Sequence, residues 1–271
     1  MKIPKTFLPG KKLENKVEEL KTFDPYKPTA LAIALIYTHG GGWATDLMVW
    51  TPDMSNPVTV TTRHNHVESL CMYDNLLYEA GYSNMIVDTL HNKIVAKRKY
   101  TVTSLCVHDG VMYDGGLDKI YRTDNGKVIA VRKGWVKALC SHDKEMYDAG
   151  SYKQVIKTFD DKVVAERKEW IYALCSYNNT IYDAADCKIR NTLNNKAVSK
   201  RKDMVFTLFS FNEKLYDAGM YYQIYDTLKF FKKKFLEVEK GERYQYEFYR
   251  GITAVQPISP WLAHQLLSKT R

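Results

Sequence analysis

Four cysteines, Cys71, Cys106, Cys140 and Cys175, occupy one repeated sequence position, and Phe209 stands at the fifth occurrence. A ring of thiols is one way to hold a soft metal or to run redox chemistry. Phenylalanine at an equivalent site favours the other use of cysteine, as a small buried apolar filler. Cys187 lies outside that register and is the candidate reactive thiol. The pairs Tyr78-Glu79, Tyr113-Asp114, Tyr147-Asp148, Tyr182-Asp183 and Tyr216-Asp217 place a phenol beside a carboxylate, which is acid/base chemistry in the right setting. An active site is single, however, and a pair present in every copy reads as construction: aromatic packing between units, with the carboxylate capping a turn.

His39-Gly40-Gly41-Gly42 could offer backbone donors to an oxyanion, but no GxSxG nucleophile accompanies it. His64 and His66 have the period-2 spacing that puts two metal ligands on one strand face, with no third ligand identified. These residues lead us to expect no catalytic residue, no metal and no cofactor. The basic positions carry more. Lys97-Arg98-Lys99, Arg132-Lys133, Arg167-Lys168 and Lys200-Arg201-Lys202 recur at one place in four copies. Arginine offers a planar fork to phosphates or carboxylates, and tyrosine a stacking plane. The candidate binding set is therefore Lys97, Arg98, Arg132, Lys133, Arg167, Lys168, Lys200 and Arg201, with Tyr82, Tyr152 and Tyr222 from a neighbouring loop. The plainer alternative is a solubilising collar that blocks edge pairing. Glu166, Glu169 and Asp203 dilute the ring. A net charge of +9 permits an anionic partner without demanding one.

Those positions are set by an internal repeat. VESLCMYDNLLYEAG from Val67 is followed by four relatives, from Val102, Val136, Ile171 and Val205. Their leucines, Leu70, Leu105, Leu139, Leu174 and Leu208, are spaced 35, 34, 35 and 34. Only the stretch from the tyrosine to the following threonine varies in length, which marks one surface loop per unit. Each unit reads as four short strands, rich in Val, Ile, Tyr and Thr and divided by Asn, Asp and Gly turns. Four-stranded units of this size stack radially, so the sequence predicts an all-β propeller. A degenerate copy upstream aligns Leu35 with Leu70, Trp43 with Tyr78 and Asp53 with Asp88, giving six blades over 34–242. Residues 1–33 read as an N-terminal extension, with Leu13–Phe23 either a helix or a closing strand. Residues 243–271 read as a hairpin from Tyr244 and a short helix opened by Ser259-Pro260. A seventh blade shared between the termini is the alternative.

Gly115–Lys127 resembles the third strand and following turn of a WD40 blade, and Ile86-Val87-Asp88 and Ile224-Tyr225-Asp226 stand where that family has its Trp-Asp. The resemblance spans about 210 of the 271 residues, although the Gly-His pair is missing and most units lack Trp-Asp. It implies a scaffold rather than an enzyme. Composition agrees with a folded domain: 45% hydrophobic and 26% charged residues exclude a disordered chain. The start of the sequence has no apolar signal core, the longest apolar run is Ala30 to Tyr37, and the thiols suit a reducing compartment. The expectation is a cytoplasmic, non-enzymatic interaction platform, away from membranes, whose basic, tyrosine-bearing face binds an acidic protein or peptide, or RNA. A propeller enzyme with its site at the axial entrance and a self-assembling scaffold are the alternatives.

Overall fold

The computed structural model describes residues 28–39, 42–228, 234–237 and 251–270. Leu13–Phe23 and the hairpin residues 244–250 lie outside the described residues, as do Gly40 and Gly41. Among the described residues, six four-stranded antiparallel sheets form the blades of a propeller.

The first blade contains β1 (Ala30–His39), β2 (Gly42–Trp50) and β3 (Val58–Arg63). Blade 2 is β4 (Val67–Tyr73), β5 (Leu76–Gly81), β6 (Met85–Asp88) and β7 (Lys93–Lys97). Blade 3 is β8 (Val102–His108), β9 (Val111–Gly116), β10 (Lys119–Arg122) and β11 (Val128–Val131). Blade 4 is β12 (Val136–His142), β13 (Glu145–Gly150), β14 (Gln154–Lys157) and β15 (Lys162–Glu166). Blade 5 is β16 (Ile171–Tyr177), β17 (Thr180–Ala185), β18 (Lys188–Asn191) and β19 (Ala197–Lys200). Blade 6 is β20 (Val205–Phe211), β21 (Lys214–Gly219), β22 (Tyr221–Asp226) and β23 (Lys234–Glu237). The last strand, β24 (Gly251–Ile258), pairs with β1, and the helix α1 (Pro260–Ser268) follows it.

Local chemistry explains the hairpins. Each innermost strand of blades 2 to 6 turns into its neighbour through two residues at positive φ: Asp74-Asn75, Asp109-Gly110, Asp143-Lys144, Asn178-Asn179 and Asn212-Glu213. That geometry matches the strand twist, and Asn, Asp and Gly reach it at little cost. The Tyr-Asp-Ala-Gly segments end in glycine for a steric reason. A Cβ on Gly150 would collide with the Trp135 carbonyl, where the second strand passes the entry to the first.

The first blade differs from the alignment read in the sequence. β1 is the second strand of its sheet, between β24 and β2, so Leu35 pairs with Ile252 and does not occupy the place of Leu70. The reason is its unbroken apolar run. Ala30 to Tyr37 is buried throughout, and such a run suits a strand hydrogen-bonded on both edges. The innermost strand of blade 1 thus comes from the C-terminal part of the chain and closes the ring.

The core is six layers, each between two blades. Cys71, Tyr78, Ala80 and Ile86 of blade 2 pack on Val102, Leu105 and Met112 of blade 3. The same positions meet at the next three interfaces. Blade 6 meets blade 1 through larger side chains, with Phe209 stacked on Tyr216 at 5.5 Å opposite Leu31, Ile33 and Leu35. Leu262, Ala263 and Leu266 of α1 cover the layer between blades 1 and 2. Ser259 caps that helix, its Oγ accepting from the Leu262 N–H at 3.2 Å, with Pro260 at the first position.

Candidate functional site

The recurrent arginines turn inward. Arg132 Nε and Nη2 donate to the two carboxylate oxygens of Asp148 at 2.7 Å each, from the end of blade 3 into blade 4. Arg98 does the same to Asp114 at 2.8 and 2.6 Å, and Arg167 to Asp183 at 2.8 and 2.5 Å. Arg201 grips Asp217 likewise, and Arg63 Nε donates to Glu79 at 2.5 Å. Each arginine lies 16 residues before its acid. Threonines at the ends of third strands complete the network: Thr123, Thr192 and Thr227 donate to Asp114, Asp183 and Asp217. The carboxylates therefore do not cap turns; they bind the preceding blade. Burial holds Glu79 and Asp114 above their ordinary values, with Arg63 and Arg98 offsetting only part of that. The seam between blades 6 and 1 is apolar instead, since Ile33 stands on β1 where the acid stands on β5 and is fully buried.

Tyr152 joins the same network, its hydroxyl donating to Asp148 at 2.5 Å. Burial, followed by the Asp148 charge, drives its phenol far above the usual tyrosine range. Lys97, Lys133, Lys168 and Lys200 remain exposed at the blade ends. Tyr82 is exposed and stacks on His66 at 4.5 Å. The side chain of Tyr222, on β22, lies outside the described residues. The structure thus divides the candidate set: the arginines and Tyr152 bind blade to blade, while the lysines and Tyr82 face solvent.

The four repeated cysteines are free and buried between blades. Burial pushes the Cys71 and Cys140 thiols up to about 12, and those of Cys106 and Cys175 well above the ordinary value. Such thiols are inert packing. Among the described residues, no group of three or more His, Cys, Asp and Glu is placed to hold a metal. His64 is exposed, whereas His66 lies at the axial mouth between Trp43 and Tyr82.

The residues that differ between blades converge elsewhere. Every innermost strand contains one β-bulge, a register shift that leaves one residue without a partner across the ladder. The bulged residues are Glu68, Thr103, Lys137, Tyr172, Phe206 and Thr253. All six line a central cavity of about 600 Å³ and a mouth chamber of about 260 Å³ at one end of it. One position in the repeat thus supplies an acid, a base, two aromatic rings and two hydroxyls to one ring around the axis. Thr103 and Thr253 use their hydroxyls to hold the neighbouring inner strands, donating to the carbonyls of Val136 and Val67. The other four carry the chemistry.

Lys137 reaches across blade 3 to Glu68, with Nζ 3.5 Å from Oε2, and lies 5.0 Å over the Trp135 ring. His66 Nδ1 is 3.2 Å from the other Glu68 oxygen. Burial raises the Glu68 carboxyl, but the His66 hydrogen bond and the Lys137 charge outweigh it and hold the group below its ordinary value. On the other side, Tyr172 and Phe206 meet edge to face at 5.8 Å. Ile36, Trp43, Met204 and Met220 complete an apolar wall. An ionised carboxylate and an ammonium therefore face aromatic and aliphatic surface across one small chamber. Sequence reading passed over these residues, although a signal was present: the second residue of VESLC, VTSLC, VKALC, IYALC and VFTLF changes in every copy while its neighbours hold.

No family model matches the sequence, and no curated protein matches it. Solved structures do match. A chain of the nidogen–laminin complex aligns with a TM-score of 0.56 and 9% identity, over 82% of this chain and 97% of its own length. The WD40 β-propeller domain of Doa1 aligns with a TM-score of 0.49 and 15% identity, over 75% of this chain and 83% of that domain. Among the described residues the fold is a six-bladed β-propeller. The designed protein Ika8 aligns at 13% identity with a TM-score of 0.46. At these identities the likeness to other propellers extends to the fold alone. No helix among the described residues of this propeller is long and apolar enough to cross a membrane.

Proposed function

We propose that this propeller is a non-enzymatic interaction platform that engages an acidic protein or peptide through one end. That end carries the connections between second and third strands and those leading into each innermost strand. The observation that carries the reading is the company kept there by exposed rings and exposed lysines. Trp43, Tyr82, Tyr100 and Trp170 are each more than 40% exposed, and Lys97, Lys133, Lys168 and Lys200 fringe the same end. Exposed aromatic rings beside cations are what a partner surface uses for anchoring and steering. Glu166, Glu169 and Asp203 lie among these lysines, which favours a protein partner over the uniformly charged backbone of RNA. A propeller fold is held in the nidogen–laminin complex, which fits a role in protein association. All five cysteines are free, which suits a reducing compartment and supports the cytoplasmic location we propose.

The experiment is a joint reversal of Lys97, Lys133, Lys168 and Lys200 to glutamate, with binding of polyaspartate and of single-stranded RNA followed against salt. The reading expects salt-dependent polyaspartate binding that the reversal removes. Unchanged polyaspartate binding overturns it, and tighter RNA than polyaspartate binding replaces the protein partner with a nucleic acid.

A further inference from the structure

The reading above rests on the outer fringe of this end and leaves the chamber at its centre without a role. Resting on that reading, we propose that the axial mouth takes one tryptophan side chain of the acidic partner, with the indole N–H on Glu68 and the ring against Tyr172, Phe206 and Trp43.

Three observations lead there. The first is size. A chamber of about 260 Å³ is smaller than the roughly 300–1,000 Å³ of ordinary ligand pockets, which fits one large side chain better than a whole cofactor. The second is the wall. Ile36, Trp43, Met204, Phe206 and Met220 present carbon, and Tyr172 and Phe206 already stand edge to face in the geometry aromatic groups prefer. The third is the one carboxylate among the described residues of the lining. Glu68 is held ionised, and its contact with Lys137 at 3.5 Å is long for a charged hydrogen bond. A carboxylate has about four lone-pair sites, and the contacts from His66 and Lys137 use two at most. Indole is donor-only and apolar elsewhere, so it matches an acceptor set in a carbon wall. Phenylalanine would fill the wall and add no donor to Glu68. The acidic residues flanking such a tryptophan in the partner would meet the lysines at the fringe, since the two features share one end of the wheel.

The test uses the full chain and fluorescein-labelled, end-blocked aspartate peptides carrying one central Trp, Phe or Ala, read by fluorescence anisotropy. We expect Trp to bind about tenfold tighter than Phe, from the added charge-assisted hydrogen bond, and Phe about tenfold tighter than Ala. Glu68→Leu abolishes the Trp-over-Phe preference and keeps Phe over Ala. The near-isosteric Glu68→Gln retains an acceptor, folds with less disturbance and narrows the preference. Phe206→Ala weakens both aromatic peptides and spares the Ala peptide. Thermal melts confirm that each variant is folded. Equal binding of the Trp and Ala peptides by the unaltered protein overturns the mouth inference and leaves the lysine fringe standing. A Trp-over-Phe preference that survives Glu68→Leu overturns the role of Glu68. Absence of binding by all three peptides overturns the mouth inference and the fringe together.

Discussion

Arg132 and Asp148 are joined by two parallel hydrogen bonds across the boundary between the third and fourth blades, and neither side chain has more than 5% of its surface exposed. Its immediate neighbour Lys133 is exposed. Two adjacent basic residues therefore have opposite duties. Arg132→Ala leaves the Asp148 charge buried without its cation, though still accepting from the Tyr152 hydroxyl, and should cost about 3–5 kcal/mol of unfolding free energy. Lys133→Ala should change stability by no more than about 0.5 kcal/mol. Urea unfolding of the two variants measures the difference, and equal effects would sink the assignment.

The same pair permits a sharper measurement. Burial already holds the corresponding acids Glu79 and Asp114 above their ordinary values beside their arginines. Desolvation thus consumes much of what each pair gains. Replacing both partners, as Arg132→Met with Asp148→Leu, should recover at least half of the loss seen in Arg132→Ala. A double variant as unstable as the single one would show that the ion pair contributes large net stability.

Thiol labelling tests the cysteine assignment. Cys71, Cys106, Cys140 and Cys175 are buried, and burial raises each thiol above its ordinary value, while Cys187 is partly exposed. A thiol-specific maleimide at neutral pH should add one label to the folded chain and five to the denatured chain. The folded adduct should map to Cys187. Rapid labelling of the repeated four would contradict the interblade packing.

The pH dependence of Glu68 has a definite sign. Its folded pKa lies below the ordinary 4.5, so its ionised contacts contribute stability above that value and lose it as pH falls through the folded pKa. The stability difference between the unaltered protein and Glu68→Gln should not shrink between neutral pH and the ordinary glutamate value and should shrink below it. A difference that already shrinks between neutral pH and that value would mean that the His66 and Lys137 contacts are absent in solution.

Ring closure offers a further prediction. β24 pairs with β1 from Ala30 to Ile36, and Ile258 is fully buried. Val255→Asp, placed in the layer between blades 6 and 1, should cost several kcal/mol by burying an unpaired charge and should lower the melting temperature more than any substitution at the fringe. A calorimetric scan decides the matter.

Much of this architecture was legible in the repeat, because copied side chains must meet copied neighbours. Leucine and tyrosine spacing marked five of the six blades, and the Asn and Asp turns marked the hairpins. The arginine ring was harder to read. Arg and Asp each appeared at a fixed position, yet their constant separation of 16 residues was the evidence that one belongs to the other. A surface role looks identical in sequence, since both a collar and a buried pair repeat with the blade. The first blade misled because Leu35 falls at the right interval by coincidence. Its pairing on both edges, with β24 and β2, shows that β1 does not border the axis. The mouth leaves no mark in the recurring residues, because a bulge frees one side chain per strand to vary without disturbing its sheet.

β24, the last strand among the described residues, completes the first sheet. Thr253 and Ala34, in contact through a hydrogen bond, are 219 residues apart. At ordinary ribosome speeds, roughly ten to forty seconds pass between them, during which β1 has an open edge of unpaired amides. Throughout that interval another nascent chain can offer the same strand. The wheel is therefore vulnerable to exchange of its closing segment between two copies, and crowded polysomes are where such linked pairs should arise.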